Sequence, residues 1–184
     1  SGVKAAAIDT GDRVIAQATA PLAVQRLQPG WSEQSPADWW QATLTAVTAL
    51  PAEVRRAVRA VGLSGQMHGA VLLDKTDEPL RPAILWNDGR SARQCTELER
   101  REPLARSITG NLAMPGFTAP KLLWLARHEP AVFGRIAKVL LPKDYVRFRL
   151  TGEYAMDKAD GSGTQLFDLQ ARTWSAEVAG ALGI

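Results

Sequence analysis

Between Val61 and Arg90 the chain twice runs from apolar residues into a compact polar cluster, and this pattern restricts its fold more than any other. Val61-Gly62-Leu63 empties into Gly65-Gln66-Met67-His68-Gly69, which carries one of only two histidines. Ala83-Ile84-Leu85 then ends in Trp86-Asn87-Asp88-Gly89-Arg90. Short apolar runs bounded by turn residues read as strands buried on both faces. Donors and acceptors placed where such strands stop face a ligand crevice. Two such ends in one stretch point to a pocket for a small, hydroxyl-rich molecule.

The rest of the chain supplies the partners for such strands. Val3 to Asp9 and Val14 to Val24 read as a hairpin turned by Thr10-Gly11-Asp12-Arg13. Ser35-Pro36-Ala37-Asp38 is a helix start: Ser at the N-cap, Pro in the first turn, a carboxylate at the positive end. That helix is expected to bury Trp40, Leu44 and Val47, and a short helix over Ala52 to Arg59 follows Pro51. Ala60 to Ser64, Ala70 to Asp74, Pro82 to Trp86 and Val139 to Leu141 read as strands. Ser91 to Arg101 reads as an exposed helix, Thr118 to Arg127 as a buried one, and Asp144 to Leu150 as a further helix. Residues 157 to 165 read as a loop. A hairpin followed by alternating helices and strands argues for an α/β fold with a mixed sheet flanked by helices.

Composition excludes several function classes. With 184 residues, 46% hydrophobic and 22% charged, the chain is long and apolar enough for a core. The net charge of +3 is spread among acids, with no concentrated basic stripe, which argues against nucleic-acid binding. No apolar run reaches membrane-spanning length and no signal peptide is visible, so no membrane partner is expected. Cys95 stands alone, which fits a cytoplasmic setting and permits no internal disulfide. Two histidines and one cysteine give no metal-ligand spacing. Both ends, Ser1-Gly2-Val3-Lys4 and Ala181-Leu182-Gly183-Ile184, look cut.

Seven blocks in order resemble the N-terminal domain of the FGGY carbohydrate kinases. They are Ser1-Gly2-Val3-Lys4; Trp31-Ser32-Glu33-Gln34 with Trp39-Trp40; Gln66-Met67-His68-Gly69; Trp86-Asn87-Asp88-Gly89-Arg90; Gly116-Phe117-Thr118 through His128; Leu141-Pro142-Lys143-Asp144-Tyr145; and Thr151-Gly152-Glu153 with Asp157 to Thr164. The resemblance covers nearly the whole chain. It implies a ribonuclease-H-like fold of the actin/hexokinase superfamily, with its first strand missing. Residues 1–184 would be a partial sugar-binding domain, without the second, ATP-binding domain. The family's catalytic Asp would lie beyond Ile184, so no catalytic residue is expected in this fragment, which should be inactive alone.

The same resemblance assigns residues. Met67 and His68 correspond to the sugar-contacting pair: a neutral imidazole donates and accepts, and a thioether offers a soft apolar wall. The competing reading makes His68 a satisfied loop histidine and Met67 core. Asn87, Asp88 and Arg90 would form a second polar wall, unless Asp88 and Arg90 pair with each other and only fix the loop. Trp86 either stacks on the sugar or packs in the core. Phe117 would line the pocket. Trp39, Trp40 and Trp124 read as packing residues. Ser1, Gly2 and Lys4 would belong to the hairpin that cradles the phosphates of ATP. Lys121 sits in a helix first turn, where the dipole disfavours a cation; a snorkelling, solvated side chain is the favoured reading and a carboxylate partner the alternative. Gly161-Ser162-Gly163-Thr164 lacks a Walker ending and reads as a plain loop. Cys95 has no nearby His and is expected to be inert.

For the intact protein these residues imply ATP-dependent phosphorylation of a ketopentose, D-xylulose first, with Mg²⁺ bridging the phosphates. Ribulose, glycerol, fuculose and gluconate kinases, and a non-catalytic actin-like module, are the alternatives. An unpaired sheet edge at the cut N-terminus would favour a homodimer.

Overall fold

Three successive aliphatic residues, Val71-Leu72-Leu73, need cover on both faces once extended, because side chains alternate along a strand. The fold is built around that requirement. A computed structural model describes residues 1–183. The chain opens with a hairpin of β1 (Gly2–Ile8) and β2 (Val14–Pro21), then β3 (Glu33–Gln34), α1 (Pro36–Thr48) and α2 (Ala52–Ala57). Next come β4 (Val71–Leu73), β5 (Ala83–Ile84), α3 (Ala92–Arg101), α4 (Ala105–Thr109), α5 (Thr118–His128) and α6 (Pro130–Phe133). Last are β6 (Lys138–Leu140), α7 (Pro142–Thr151), α8 (Lys158–Ser162), β7 (Phe167–Asp168), β8 (Thr173–Trp174) and α9 (Ala176–Leu182). Ile184, the last residue of the expected cut end, lies outside the described residues.

The ladders are short and antiparallel. β4 pairs with β6 in the register Val71↔Leu140, and β3 pairs with β5 as Glu33↔Ile84. A bridge between Ala70 and Ile84 joins the two ladders. β4 then serves two cores. Val71 and Leu73 pack with Trp39 of α1 and Tyr145 of α7. Ala70 and Leu72 face the other way, against Ile84 and against Leu122 and Leu125 of α5. The opposite side of α5, Ala119 and Leu123, meets Leu98 of α3 and Val178 and Leu182 of α9. Thr118 to Leu125 are all buried, as expected of a helix that is apolar nearly all round. Helices thus flank short sheets on both faces, the α/β layering the sequence implies.

Five expectations need correction. Ala60 to Ser64 is not a buried strand: Val61 is 70% and Leu63 38% exposed, and the segment joins no ladder among the described residues. Apolar residues alone do not make a strand; the backbone also needs a hydrogen-bonding partner. The buried face of α1 is Trp39, Ala42, Thr43 and Ala46, while Leu44 and Val47 are exposed and Trp40 only half-buried. Small alanines let the helix lie close on the hairpin at Ala20, which larger residues would prevent. Ser35 holds the N-cap position of α1 but its hydroxyl makes no capping bond. Residues 158–162 form a helical turn rather than loop, because the Asp157 carboxylate accepts from the Asp160 N–H at 2.9 Å. The helix at 92–101, expected to be exposed, also buries Gln94, Cys95 and Leu98.

Candidate functional site

The loop leading into β4 lies on the start of α7. A Cβ at Gly69 would stand 2.7 Å from Pro142 Cγ, and one at Gly65 3.1 Å from Lys143 Cβ. His68, in this loop, has φ 61, a left-handed conformation uncommon for residues with a side chain. Its carbonyl oxygen accepts from Lys121 Nζ at 2.8 Å and from Thr118 Oγ1 at 3.2 Å. The imidazole meets Phe117 edge to face, with ring centroids 4.6 Å apart. Gly163 stands so near that a Cβ there would overlap the ring. Nδ1 is buried without a hydrogen-bond partner among the described residues. Burial lowers the imidazole's pKa from 6.5, and the Lys121 ammonium pushes the same way. The ring is therefore neutral at pH 7, able to donate from one nitrogen and accept at the other. Met67 beside it is 41% exposed, an apolar surface at the open side.

The second polar cluster divides between outside and inside. Trp86 and Asn87 are exposed at the end of β5. Asp88 and Arg90 turn inward, with side chains 0% and 1% exposed. Asp88 accepts from Arg90 Nε at 2.9 Å, Arg90 Nη2 at 2.7 Å and the Ser32 N–H at 2.6 Å. Of the two readings for this pair, mutual bracing is the one the geometry realises; neither side chain forms an open wall. Arg90 Nη1 pairs with Glu33 at 2.6 Å, Glu33 also holds Arg81, and Arg81 reaches Glu129 at 3.1 Å. The Arg90 guanidinium lies 3.6 Å over the Trp31 ring, which meets Trp124 edge to face.

Lys121 corrects the snorkelling reading. It is fully buried, and its ammonium donates to the carbonyls of His68 (2.8 Å) and Gly116 (2.7 Å). Burial pushes its pKa down to about 7, against the pull of Asp88. Gly116 itself abuts the Trp86 backbone, where a Cβ would overlap the Trp86 carbonyl oxygen. Three loops, at 68, 86 and 116, therefore converge above one buried ammonium. The structure thus brings His68 and Phe117 into contact and seats the Gly116 loop on Trp86, while Met67 and Asn87 flank this point as chain neighbours of His68 and Trp86.

The start of the hairpin is wired to the same place. Gln34 Nε2 donates to Ser1 Oγ at 3.3 Å and to the Ala23 carbonyl at 3.0 Å. Its Oε1 accepts from Trp39 Nε1 and from Gln66 Nε2, each at 3.0 Å. Gly2 lies close on β2, and Lys4 is exposed. On the other flank Lys143 pairs with Asp144 (2.8 Å), Asp157 (2.7 Å) and Asp160 (2.9 Å), which raises the lysine's pKa. Asp160 also faces His68 electrostatically. Cys95 is buried, which pushes its thiol up to about 11. Glu33 and Gln34 stand in a resemblance block and Gly163 in an expected loop, but sequence reasoning gave none of them a role; for Lys121 the cation at a helix start was the available signal.

This arrangement can be compared with known proteins. The sequence profile of the FGGY family of carbohydrate kinases, N-terminal domain, matches residues 1–184. The chain belongs to that family. This FGGY domain is 56% identical over 176 residues to the xylulose kinase of Escherichia coli strain K12, covering 95% of the chain and 36% of that protein. It is 56% identical over 182 residues to the xylulose kinase of Klebsiella pneumoniae, covering 98% of the chain and 38% of the relative. The chain thus spans little more than a third of the length of these curated relatives. Among solved structures, a xyloylose kinase from Brucella ovis superposes with TM-score 0.97 at 53% identity, covering 100% of the chain and 38% of the other. The xylulose kinase of Rhodospirillum rubrum gives TM-score 0.87 at 33% identity, over 96% of the chain and 38% of its own. The ribonuclease-H-like fold expected of the actin/hexokinase superfamily is the fold of these sugar kinases.

Proposed function

We propose that the intact protein carrying this domain is an ATP-dependent xylulose kinase that phosphorylates the terminal hydroxyl of D-xylulose. One observation carries the reading: a neutral imidazole, His68, is wedged between Phe117 and Gly163 at the meeting of three loops, in a chain 56% identical to xylulose kinases. The sugar would lie across Met67, Trp86 and Phe117, with its hydroxyls facing His68 and Asn87. Apolar faces of a sugar favour such surfaces, and each hydroxyl needs a donor or acceptor once desolvated. Asp88 and Arg90 would brace this floor from below, without touching sugar.

The domain's part in the chemistry is orientation. Holding the acceptor hydroxyl in line turns a bimolecular step into an intramolecular one. Ser1, Gly2 and Lys4 would face the phosphates of ATP, and the Ser1–Gln34–Gln66 bonds would keep that end in register with His68. Among the described residues no three His, Cys, Asp or Glu side chains converge where a metal ion could sit. Mg²⁺ brought with ATP would neutralise phosphate charge. Among the described residues no helix is long and apolar enough to cross a membrane. The reading places the enzyme in the cytoplasm, where ATP and ketopentoses occur together, without nucleic-acid partners; association into a homodimer is part of the same proposal.

The test is ADP release by the intact protein across D-xylulose, ribulose, fuculose, glycerol and gluconate. D-xylulose should give the highest kcat/KM. No sugar-dependent ADP release, or a clear preference for another substrate, overturns the reading.

A further inference from the structure

Lys121 occupies a position that physical chemistry opposes twice. It lies in the first turn of α5, where the helix dipole repels a cation, and it is fully buried. A leucine or methionine would fill the same space without either penalty. Asp88 attracts it, Arg90 repels it, and a further ionisable neighbour, His68, is neutral at pH 7. Among the described residues no carboxylate accepts a hydrogen bond from it. The ammonium instead spends its donors on two backbone carbonyls, those of His68 and Gly116.

Those two carbonyls belong to the loops that carry the site's two facing rings. His68 holds its left-handed backbone only where the surroundings over-determine it. Lys121 and Thr118 supply that determination by donating to the same oxygen. The other carbonyl fixes Gly116, the residue before Phe117, against the Trp86 backbone. One ammonium thus sets where the imidazole stands relative to the Phe117 ring.

We propose that Lys121, with Thr118 as second donor on the His68 carbonyl, is a positioning residue for the sugar: it clamps the His68 and Gly116 loops at the spacing the ketose needs, without touching the ketose. The proposal rests on the sugar-site reading above. A displacement of ~1 Å at such a site costs on the order of a hundredfold in rate.

The test uses the intact enzyme and separates the two substrates. Lys121→Met, which keeps the bulk and removes the donors, should raise KM for D-xylulose about tenfold or more, with KM for ATP unchanged. Thr118→Val, a smaller change that keeps the helix start, should raise the same KM about threefold and again spare ATP. A folded Lys121→Met enzyme whose sugar KM stays within about twofold of the parent's overturns the clamp. Equal shifts in both KM values also overturn it, because they mark a general loss of structure. If Lys121→Met does not fold, an unchanged sugar KM in Thr118→Val decides against the proposal and a sugar-only rise decides for it. Failure of the parent enzyme to use any sugar removes the functional reading instead, and this inference falls with it.

Discussion

Gly163 forms the back wall of the His68 imidazole: a Cβ at Gly163 would lie 2.8 Å from Nδ1 and closer still to Cε1. The backbone at Gly163 is right-handed, with φ −75, so alanine meets no conformational penalty there. Its cost is purely steric and falls on the ring. Gly163→Ala should therefore push His68 toward the open side and raise KM for D-xylulose about tenfold, with little loss of thermal stability. Steady-state kinetics beside a melting curve checks this; an unchanged sugar KM would mean that the imidazole does not contact substrate.

His68 should also give the sugar KM a dependence on acid. Burial and the Lys121 ammonium both lower its pKa from 6.5, so the ring protonates only below that value. Protonation converts its acceptor nitrogen into a donor and places a second cation beside Lys121. KM for D-xylulose should rise as pH falls through a midpoint below 6.5, while KM for ATP stays flat. His68→Ala should raise the sugar KM at every pH and abolish the midpoint. A midpoint above 6.5 would contradict the burial argument.

Lys121 makes a prediction about stability, with the opposite sense to an ordinary ion-paired lysine. Its pKa falls from 10.5 in the unfolded chain to about 7 in the fold. Between those values the unfolded chain holds a proton that the fold releases, so stability rises with pH across that window. Below about 7 both states are protonated and the contribution is flat. Urea midpoints of the parent and Lys121→Met at pH 7.5 and 9.5 should therefore diverge, the parent gaining relative to the variant by up to about 1.4 kcal/mol per pH unit. Parallel curves would show that the amine does not titrate in the fold.

Glu33 separates two guanidinium groups, Arg81 and Arg90, whose side chains are 11% and 1% exposed. Glu33→Gln keeps the shape and removes the charge, leaving two buried cations facing each other. Breaking a buried pair in this way costs about 3–5 kcal/mol. Chemical denaturation should show a loss of that size, and Arg81→Met in the same background, whose other partner Glu129 is 29% exposed, should recover part of it. A change under about 1 kcal/mol would place the pair in effective contact with water.

Much of this molecule is legible in its sequence because local and global signals agree. α5 is apolar nearly all round and is buried; the Ser-Pro-Ala-Asp start of α1 begins a helix where expected; His68 does meet Phe117, and the residue before Phe117 lies on the Trp86 backbone. The rest depends on contacts that residue type does not announce. Ala42 and Ala46 carry too little apolar signal to mark the packed face of α1, so Leu44 and Val47 outweigh them on paper. Gly163 reads as loop because its importance lies in what stands opposite it, far along the chain. Lys121 reads as a snorkelling side chain because backbone carbonyls, its actual partners, are the same in every sequence.

The alternating charges beneath the site have a consequence for what it admits. Lys121, Asp88, Arg90, Glu33, Arg81 and Glu129 run from the start of α5 to its far end as three cations and three anions. Lys121 titrates at about 7, so their sum is zero in acid and falls toward −1 as that amine loses its proton above this value. No member can shift alone without stranding its neighbour in a medium that penalises it. Adjustment to different guests must therefore come from the exposed perimeter, the Met67 thioether and the Trp86 indole, while the bedrock stays fixed.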